Sequence, residues 1–172
     1  TLKWSSSNTK IAKVSSTGAV TAVAKGSATI TVKTTSGKTA TCKVTVKVPS
    51  TKVTMSKTSV SINKGKTYTL KGTMSPSNTT DTLKWSSCNT KVAKVSSTGV
   101  VTAVEKGTAT ITAKTTSGKT ATCKVTVKIP STKVALSKTS ISVYKGKSYT
   151  LKGTLTPGNS TDTLKWSSSN TK

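Results

Sequence analysis

The sequence of 172 residues predicts an all-β fold assembled from tandem β-sandwiches. The first observation behind this is a long-period repeat. The segment Thr1-Leu2-Lys3-Trp4-Ser5-Ser6-Ser7-Asn8-Thr9-Lys10 returns at Thr82 to Lys91, with Cys88 replacing Ser, and at Thr163 to Lys172 unchanged. The period is therefore 81 residues, and 64 of the 81 positions are identical between 1–81 and 82–162. Such self-similarity marks one structural unit used again and again. The second observation is local: short alternating apolar and polar runs are separated by turn signals every ~8–12 residues, the pattern of a sandwich. The third is that helical periodicity is missing throughout.

The phase of the repeat follows from proline. Pro49-Ser50-Thr51 and Pro130-Ser131-Thr132 stand one period apart, each after a strand pattern rich in Val and Lys. Proline lacks the N–H a ladder needs, so these are the expected junctions. Residues 49–129 are then one complete unit. Residues 1–48 are the C-terminal part of a preceding unit, and residues 130–172 are the N-terminal part of the next. The chain opens on a strand-like segment and reads as a window of a longer repetitive polymer. The other arrangement is a self-complementing fragment whose partial units pair head to tail, although that pairing would duplicate the TLKWSSSNTK strand.

Within the complete unit, Thr51 to Met55 and Ser59 to Ile62 are the opening strands, and Asn63-Lys64-Gly65-Lys66 is a turn. Thr67 to Met74 alternates, with Tyr68 and Leu70 on one face. Ser75 to Asp81 is a polar loop, after which Thr82 to Ser86 turns Leu83 and Trp85 inward. Val92 and Val95 follow, and Ser96-Ser97-Thr98-Gly99 turns the chain. Val101 and Val104 are three apart, which breaks strict alternation, and a bulge is one explanation. After the Lys106-Gly107 turn, Thr108 to Lys114 points Ala109, Ile111 and Ala113 inward. Thr115 to Lys119 is a hairpin loop, and Thr120 to Lys128 points Ala121, Cys123, Val125 and Val127 inward. The result is a thin core around one Trp, as expected at ~80 residues. Thr supports it through its branched side chain, which suits a pleated surface.

Composition excludes several functions. Of 31 charged residues 28 are basic, all of them Lys, and the net charge is +25. There is no His, Arg, Phe or Gln. Imidazole catalysis and His metal sites are therefore ruled out. Asp81, Glu105 and Asp162 are the only acids, too few for paired-carboxylate catalysis or an acidic Ca²⁺ cage. No apolar run approaches the ~20 residues of a membrane helix, so membrane insertion is not expected. The sequence shows no signal peptide or lipid anchor.

Leu83-Lys84-Trp85-Ser86-Ser87, then Val92-Ala93-Lys94-Val95, then Gly99-Val100-Val101-Thr102-Ala103-Val104-Glu105-Lys106-Gly107-Thr108-Ala109-Thr110-Ile111-Thr112 closely resembles the bacterial immunoglobulin-like group 2 domain, the invasin/intimin-type repeat. The first copy carries the same pattern as Trp4-Ser5-Ser6-Ser7-Asn8 and Gly18 to Gly26. The resemblance covers essentially the whole chain and implies tandem immunoglobulin-like β-sandwiches of about 81 residues. It further implies an extracellular, non-enzymatic bacterial repeat, used as a surface stalk, adhesin or filament, or in a phage structural protein. It supplies no catalytic residue and no cofactor.

Of the remaining candidates, Trp4, Trp85 and Trp166 with Leu83, Tyr68 and Ile111 are expected in the core, sugar stacking by the Trp being the alternative. Cys42 and Cys123 are equivalent and expected inside as small hydrophobes, whereas Cys88 is an exposed loop thiol. A Cys88–Cys123 bridge and an intermolecular bond through Cys88 remain open. The Lys coat is expected to be a solvated, aggregation-resistant surface. The rival is a binding module for anionic cell-wall polymer or glycan. Nucleic acid is disfavoured, since no Arg is present for bidentate base contacts and aromatics are few. A Lys–Asn isopeptide bond would need a buried acid, which none of the three carboxylates supplies by position. Asn78-Thr79-Thr80 and Asn159-Ser160-Thr161 match the N-glycosylation pattern. The expected partners are neighbouring repeats of the same polymer, head to tail.

Overall fold

The computed structural model describes residues 1–170. Thr171 and Lys172, which end both the third TLKWSSSNTK copy and the 130–172 partial unit, lie outside the described residues. Strands β1 (Leu2–Ser6), β2 (Ala12–Val14), β3 (Val20–Ala22), β4 (Gly26–Thr34) and β5 (Thr39–Val46) come first. Then follow β6 (Lys52–Met55), β7 (Ser59–Asn63), β8 (Thr67–Thr69) and β9 (Gly72–Ser75). The first five recur one period later as β10 (Leu83–Ser87), β11 (Ala93–Val95), β12 (Val100–Ala103), β13 (Gly107–Thr115) and β14 (Thr120–Lys128). The last two, β15 (Lys133–Leu136) and β16 (Gly153–Thr156), repeat β6 and β9. Among the described residues there is no helix, and hence none long and apolar enough to cross a membrane.

By compactness the chain divides into two units. One comprises Thr1–Thr54, Thr73–Lys84 and Lys114–Thr120; the other comprises Met55–Gly72, Trp85–Ala113 and Ala121–Lys172. In the first, β1, β4 and β5 form an antiparallel sheet, with Trp4 opposite Val32 and Ile30 opposite Cys42. Strands β2 and β3 pair separately. The alternation of β4 buries Ala28 and Ile30, and Ala12 joins them at 0% exposure. Cys42 departs from the expected core position: it is exposed. Its own strand explains this. The far edge of β5 carries no partner among the described residues, whereas β14, its counterpart, has β7 laid along it.

In the second unit, the sheet of order β10-β13-β14-β7 faces the sheet β11-β12-β8. The pairing of β14 with β7 is parallel, Lys124 to Ser59 through Lys128 to Asn63. Their inner faces share one core of Ile62, Leu70, Ala93, Val101, Ala103, Ala109, Ile111, Cys123, Val125 and Val127. Each large apolar side chain so buried contributes about 1.5–3 kcal/mol, so the unit is held by a short list of contacts.

Three local expectations are corrected here. No bulge follows Val101: it and Ala103 alternate inward at 0% and 2% exposure in regular register with β11, and Val104 lies past the strand end. In the Val92–Val95 segment the fully buried residue is Ala93, with the two valines only half-buried. Thr67 to Met74 is two strands, because the backbone changes partners at Leu70. The Leu70 amide donates to the Gly99 carbonyl (2.9 Å), while the next carbonyl, Lys71, accepts from the Ser56 amide (2.8 Å). β8 pairs with β12 and β9 with β6, so the chain changes sheets there.

Candidate functional site

The chemistry that recurs along the chain is at the two Pro-Ser-Thr segments, the expected junctions of the repeat. In the first unit the Val48-Pro49-Ser50-Thr51 segment meets the loop that runs from Ser75 to Asp81. The Thr80 amide donates to the Val48 carbonyl (2.8 Å), and the Val48 amide donates back to the Thr80 hydroxyl (3.0 Å). The Thr79 hydroxyl reaches the same carbonyl (2.8 Å), and the Thr51 amide donates to the Ser75 carbonyl (2.8 Å). Pro49 supplies no N–H, so the chain leaves the β5 ladder there and its neighbours are paired by the loop instead.

Asp81 closes this junction. One of its carboxylate oxygens accepts the Ser50 amide (2.7 Å), the Ser50 hydroxyl (2.5 Å) and the Ser117 hydroxyl. The other accepts the Thr116 hydroxyl (2.8 Å). Ser50 is 2% exposed, so its hydroxyl depends on these partners. The donors, Ser117 and Ser50 foremost, hold the Asp81 carboxyl well below the usual carboxylate range. Lys25 adds a contact from its ammonium to the Asn78 carbonyl (3.1 Å).

In the second unit the bonds made at Val48 and Ser50 reappear one period later at Ile129 and Ser131, whereas among the described residues the Thr116 and Ser117 donors of Asp81 have no counterpart on Asp162. The Thr161 amide donates to the Ile129 carbonyl (2.7 Å) and the Ile129 amide to the Thr161 hydroxyl (3.0 Å). The Ser160 hydroxyl reaches that carbonyl (3.0 Å), and the Thr132 amide reaches the Thr156 carbonyl (2.7 Å). Asp162 accepts the Ser131 amide (2.7 Å) and hydroxyl (2.6 Å). Ser131 first, with Lys128 adding charge, holds its carboxyl below the usual range. The Lys106 ammonium reaches the Asn159 carbonyl (3.3 Å). Asp81 and Asp162, expected merely in polar loops, are thus the acceptors around which each junction is tied. The sequence signal was present: an Asp and a Pro-Ser-Thr, both recurring at the period.

The other candidates distribute as follows. Ile111 and Cys123 are fully buried, and burial pushes the Cys123 thiol up. Trp4, Leu83, Tyr68 and Trp85 are half-buried. Trp85 lies over Gly99, at φ +85°, where a Cβ would sit 2.9 Å from the indole Cζ2. Trp166 departs from the expected core position: it is 57% exposed and outside any strand. The reason is again cover, since no described strand stands beside it as β13 stands beside Trp85's strand. All three cysteines are free. Cys88 is exposed, and its sulfur accepts the Thr110 amide (3.1 Å), as the Ser7 hydroxyl accepts the Thr29 amide (2.8 Å). Glu105 pairs with Lys64 at 2.5 Å on the surface, which lowers its carboxyl pKa. Asn78 and Asn159 are exposed. Among the described residues no cluster of His, Cys, Asp or Glu is disposed to hold a metal ion.

An open groove of about 450 Å³ beside Trp85 is lined by Ser86, Ser87, Thr90, Lys94 and Val95. It recurs beside Trp4, at about 420 Å³, with Ser5, Ser6, Thr9, Lys13 and Val14.

A family model for the bacterial Ig-like domain (group 2) matches residues 1–46 and 49–126. No curated protein matches the chain. Among solved structures it is similar to domains 1–6 of the surface layer protein SbsC, with 28% identity, a TM-score of 0.43, and coverage of 78% of this chain. It spans only 21% of the length of that structure. Domains 4 and 5 of SbsC match at 28% identity and TM-score 0.40, covering 73% of this chain and 70% of that one. A C-terminal 282-residue fragment of intimin, solved with the intimin-binding domain of its translocated receptor, matches at 19% identity and TM-score 0.41, covering 75% and 53%.

Proposed function

The chain belongs to the bacterial Ig-like domain (group 2) family, and from its repeated junctions we propose that it is a non-enzymatic structural repeat of an extracellular bacterial surface stalk, adhesin or filament. The folded repeat is bounded at 48/49 and 129/130, giving the partial units 1–48 and 130–172 about the complete unit 49–129. The observation that carries this proposal is the recurrence of one set of junction bonds. Val48 and Ile129 are clasped by Thr80 and Thr161, and Ser50 and Ser131 by Asp81 and Asp162. A joint tied by several directional hydrogen bonds resists bending, which a hydrogen bond worth about 1 kcal/mol apiece achieves only in number. The function is then geometric: each period adds a fixed length and holds what lies beyond it away from its base. X-ray scattering of chains with increasing numbers of periods tests this. The maximum dimension is expected to grow in proportion to the period count, and beads that tumble freely about the junctions overturn it.

A second role is favoured by the repeated groove beside Trp4 and Trp85, where an indole, several hydroxyls and Lys13 or Lys94 meet. That set suits an anionic wall polymer or glycan, with the indole against a sugar face and the ammonium on its charge. Binding of such polymers that weakens as salt rises, and that falls in Trp85→Ala, supports it; absent or salt-insensitive binding removes it.

A further inference from the structure

A second surface recurs along the chain, apart from the junctions and the groove. It is the outer face of the larger sheet. In β4 the buried Ala28 and Ile30 leave Ser27, Thr29, Thr31 and Lys33 on the opposite face. Thr41, Lys43 and Thr45 of β5 share that face, since the register sets Thr31 against Thr41, Thr29 against Lys43 and Ser27 against Thr45. The Ser27 and Thr45 hydroxyls lie 3.3 Å apart. In the complete unit, burial of Cys123, Val125 and Val127 turns Thr122, Lys124, Thr126 and Lys128 the same way. There β7 continues the face, with Ser59 beside Lys124, Ser61 beside Thr126 and Asn63 beside Lys128. Strand parity sets this face, whatever flanks the sheet. Each of these outward side chains ends in a hydroxyl, an amide or an ammonium.

Two features set the face apart from a coat that only keeps the chain in solution. Its Lys residues are not confined to edges. β4 is the central strand of β1-β4-β5, and β14 lies between β13 and β7, so the guarding of an exposed edge does not account for Lys33, Lys124 or Lys128. Furthermore, Lys3 stands directly opposite Lys33. Like charges so placed destabilise a sheet, and no carboxylate on the face offsets them. All three acids are engaged elsewhere: Asp81 by Ser50, Asp162 by Ser131 and Glu105 by Lys64. The free protein thus carries a repulsion that a bound anion would relieve.

We propose that this outer sheet face binds a ring-free phosphodiester polymer, a chain of polyol units joined by phosphates. The charge is complementary, and Lys serves phosphate as a point charge. A phosphate placed between Lys3 and Lys33 takes both ammoniums. Lys124 and Lys128, four residues apart on one strand, put successive ammoniums about 13 Å apart, a span that a flexible anionic chain bridges. Between the Lys residues stand Ser and Thr hydroxyls, which donate to phosphate oxygens and accept from the polyol. The face has no aromatic side chain on which a base or a pyranose ring could stack, which disfavours nucleic acid and ring polysaccharides there. This goes beyond both readings above, because it uses neither the junction bonds nor the indole groove.

The test is titration of the whole chain with poly(glycerol phosphate) across a salt series, with hyaluronan and single-stranded DNA as ring-bearing polyanions. Binding that weakens with salt is expected, tightest for poly(glycerol phosphate). Replacing Lys33, Lys43, Lys114 and Lys124 together by Thr removes two charges per repeat from the face. It is expected to weaken binding about tenfold and to flatten the log–log salt slope by about 1.4. Replacing Lys10, Lys71, Lys91 and Lys152, all exposed and outside every strand, gives the same net charge and is expected to change affinity by less than about threefold. Amine acetylation of the unaltered chain reads the same contact without a variant: bound polymer should protect Lys33, Lys43 and Lys124 over Lys10 and Lys91. The proposal is overturned by absent binding, by equal losses in the two variants, or by equal protection of the two sets of Lys. Tighter binding of hyaluronan or single-stranded DNA overturns the choice of polymer. Trp85→Ala is expected to leave this binding unchanged; a loss there with none in the face variant moves the contact to the groove and overturns this inference alone. Scattering by multi-period chains reads the structural role independently.

Discussion

Replacing Gly99 with alanine probes the point where the chain crosses between sheets. Gly99 has φ +85°, and an added Cβ would lie 2.5 Å from the Leu70 carbonyl oxygen as well as 2.9 Å from Trp85 Cζ2. The left-handed backbone alone costs an L-residue about 1–2 kcal/mol. Relief of the overlap needs a backbone shift, because Leu70 is 1% exposed and its amide is bonded to the Gly99 carbonyl at 2.9 Å. Overpacking of this kind adds about 1–3 kcal/mol. A total near 3 kcal/mol lowers the melting temperature of a unit this size by about 12–24 °C. Gly118 is the control: its φ is +92°, with nothing within 4 Å of the added Cβ. Gly118→Ala should cost about 1 kcal/mol, or roughly 4–8 °C. Gly18→Ala lies between, since its φ is also +85° but its close neighbours are Trp4 ring atoms with no carbonyl among them. Circular dichroism melts of the three variants decide the matter. Equal losses for Gly99→Ala and Gly118→Ala would refute the assignment of Leu70 as the crossing residue.

Cys123→Ser places a hydroxyl at a site of 0% exposure and should cost about 1–3 kcal/mol, whereas Cys42→Ser, on an exposed site, should stay within about 0.5 kcal/mol by hydrogen exchange at dilute concentration. Folding lowers the Asp81 carboxyl, so the unfolded chain takes up the proton first on acidification; the stabilisation is full above about pH 5 and fades progressively below about pH 4. An NMR titration should find Asp81 still ionised where an ordinary Asp is protonated, and Ser117→Ala should move its midpoint up. Glu105→Ala should leave the melting temperature unchanged, because Lys64 and Glu105 are both about half-exposed, at 45% and 49%. A clear loss there would mean that the pair is worth more than a surface contact.

Much of the fold was legible because parity is a local property. In Thr108 to Lys114 and Thr120 to Lys128 every second side chain is apolar, and the core takes up all of these but the half-buried Ala121. What parity cannot show is which strand covers which. Cys42 and Cys123 share a sequence context, yet one is exposed and the other buried, because cover comes from β7, over sixty residues away. Trp166 fails for the same reason. Ala93 was passed over because a methyl gives little hydrophobic signal, although its small size suits a site of 0% exposure between sheets. The change of sheet at Leu70 was hidden because alternation continues straight through it.

The differences between copies bear on what the junction needs. Pro-Ser-Thr, the loop's Asn, its second Thr and its Asp, and the Lys facing the loop are identical at 25, 49–51, 78, 80 and 81 and at 106, 130–132, 159, 161 and 162, while the loop varies at 75, 77 and 79, Ser77 becoming Gly158. Where the junction does vary, each bond survives. Thr79 becomes Ser160, which keeps the hydroxyl that donates to the Val48 or Ile129 carbonyl. Ser75 becomes Thr156, which contributes only its carbonyl in either copy. Val48 becomes Ile129, whose role in the clasp is likewise through the backbone. Outside the junction the changes are freer: Glu105 stands for Ala24 and Cys88 for Ser7. Substitutions that alter chemistry are tolerated on the strands' exposed edges and turns, while those at the joint alter only what its bonds do not use. That pattern fits clusters in which the hydrogen bonds, and not the identity of every side chain, are what the two copies share.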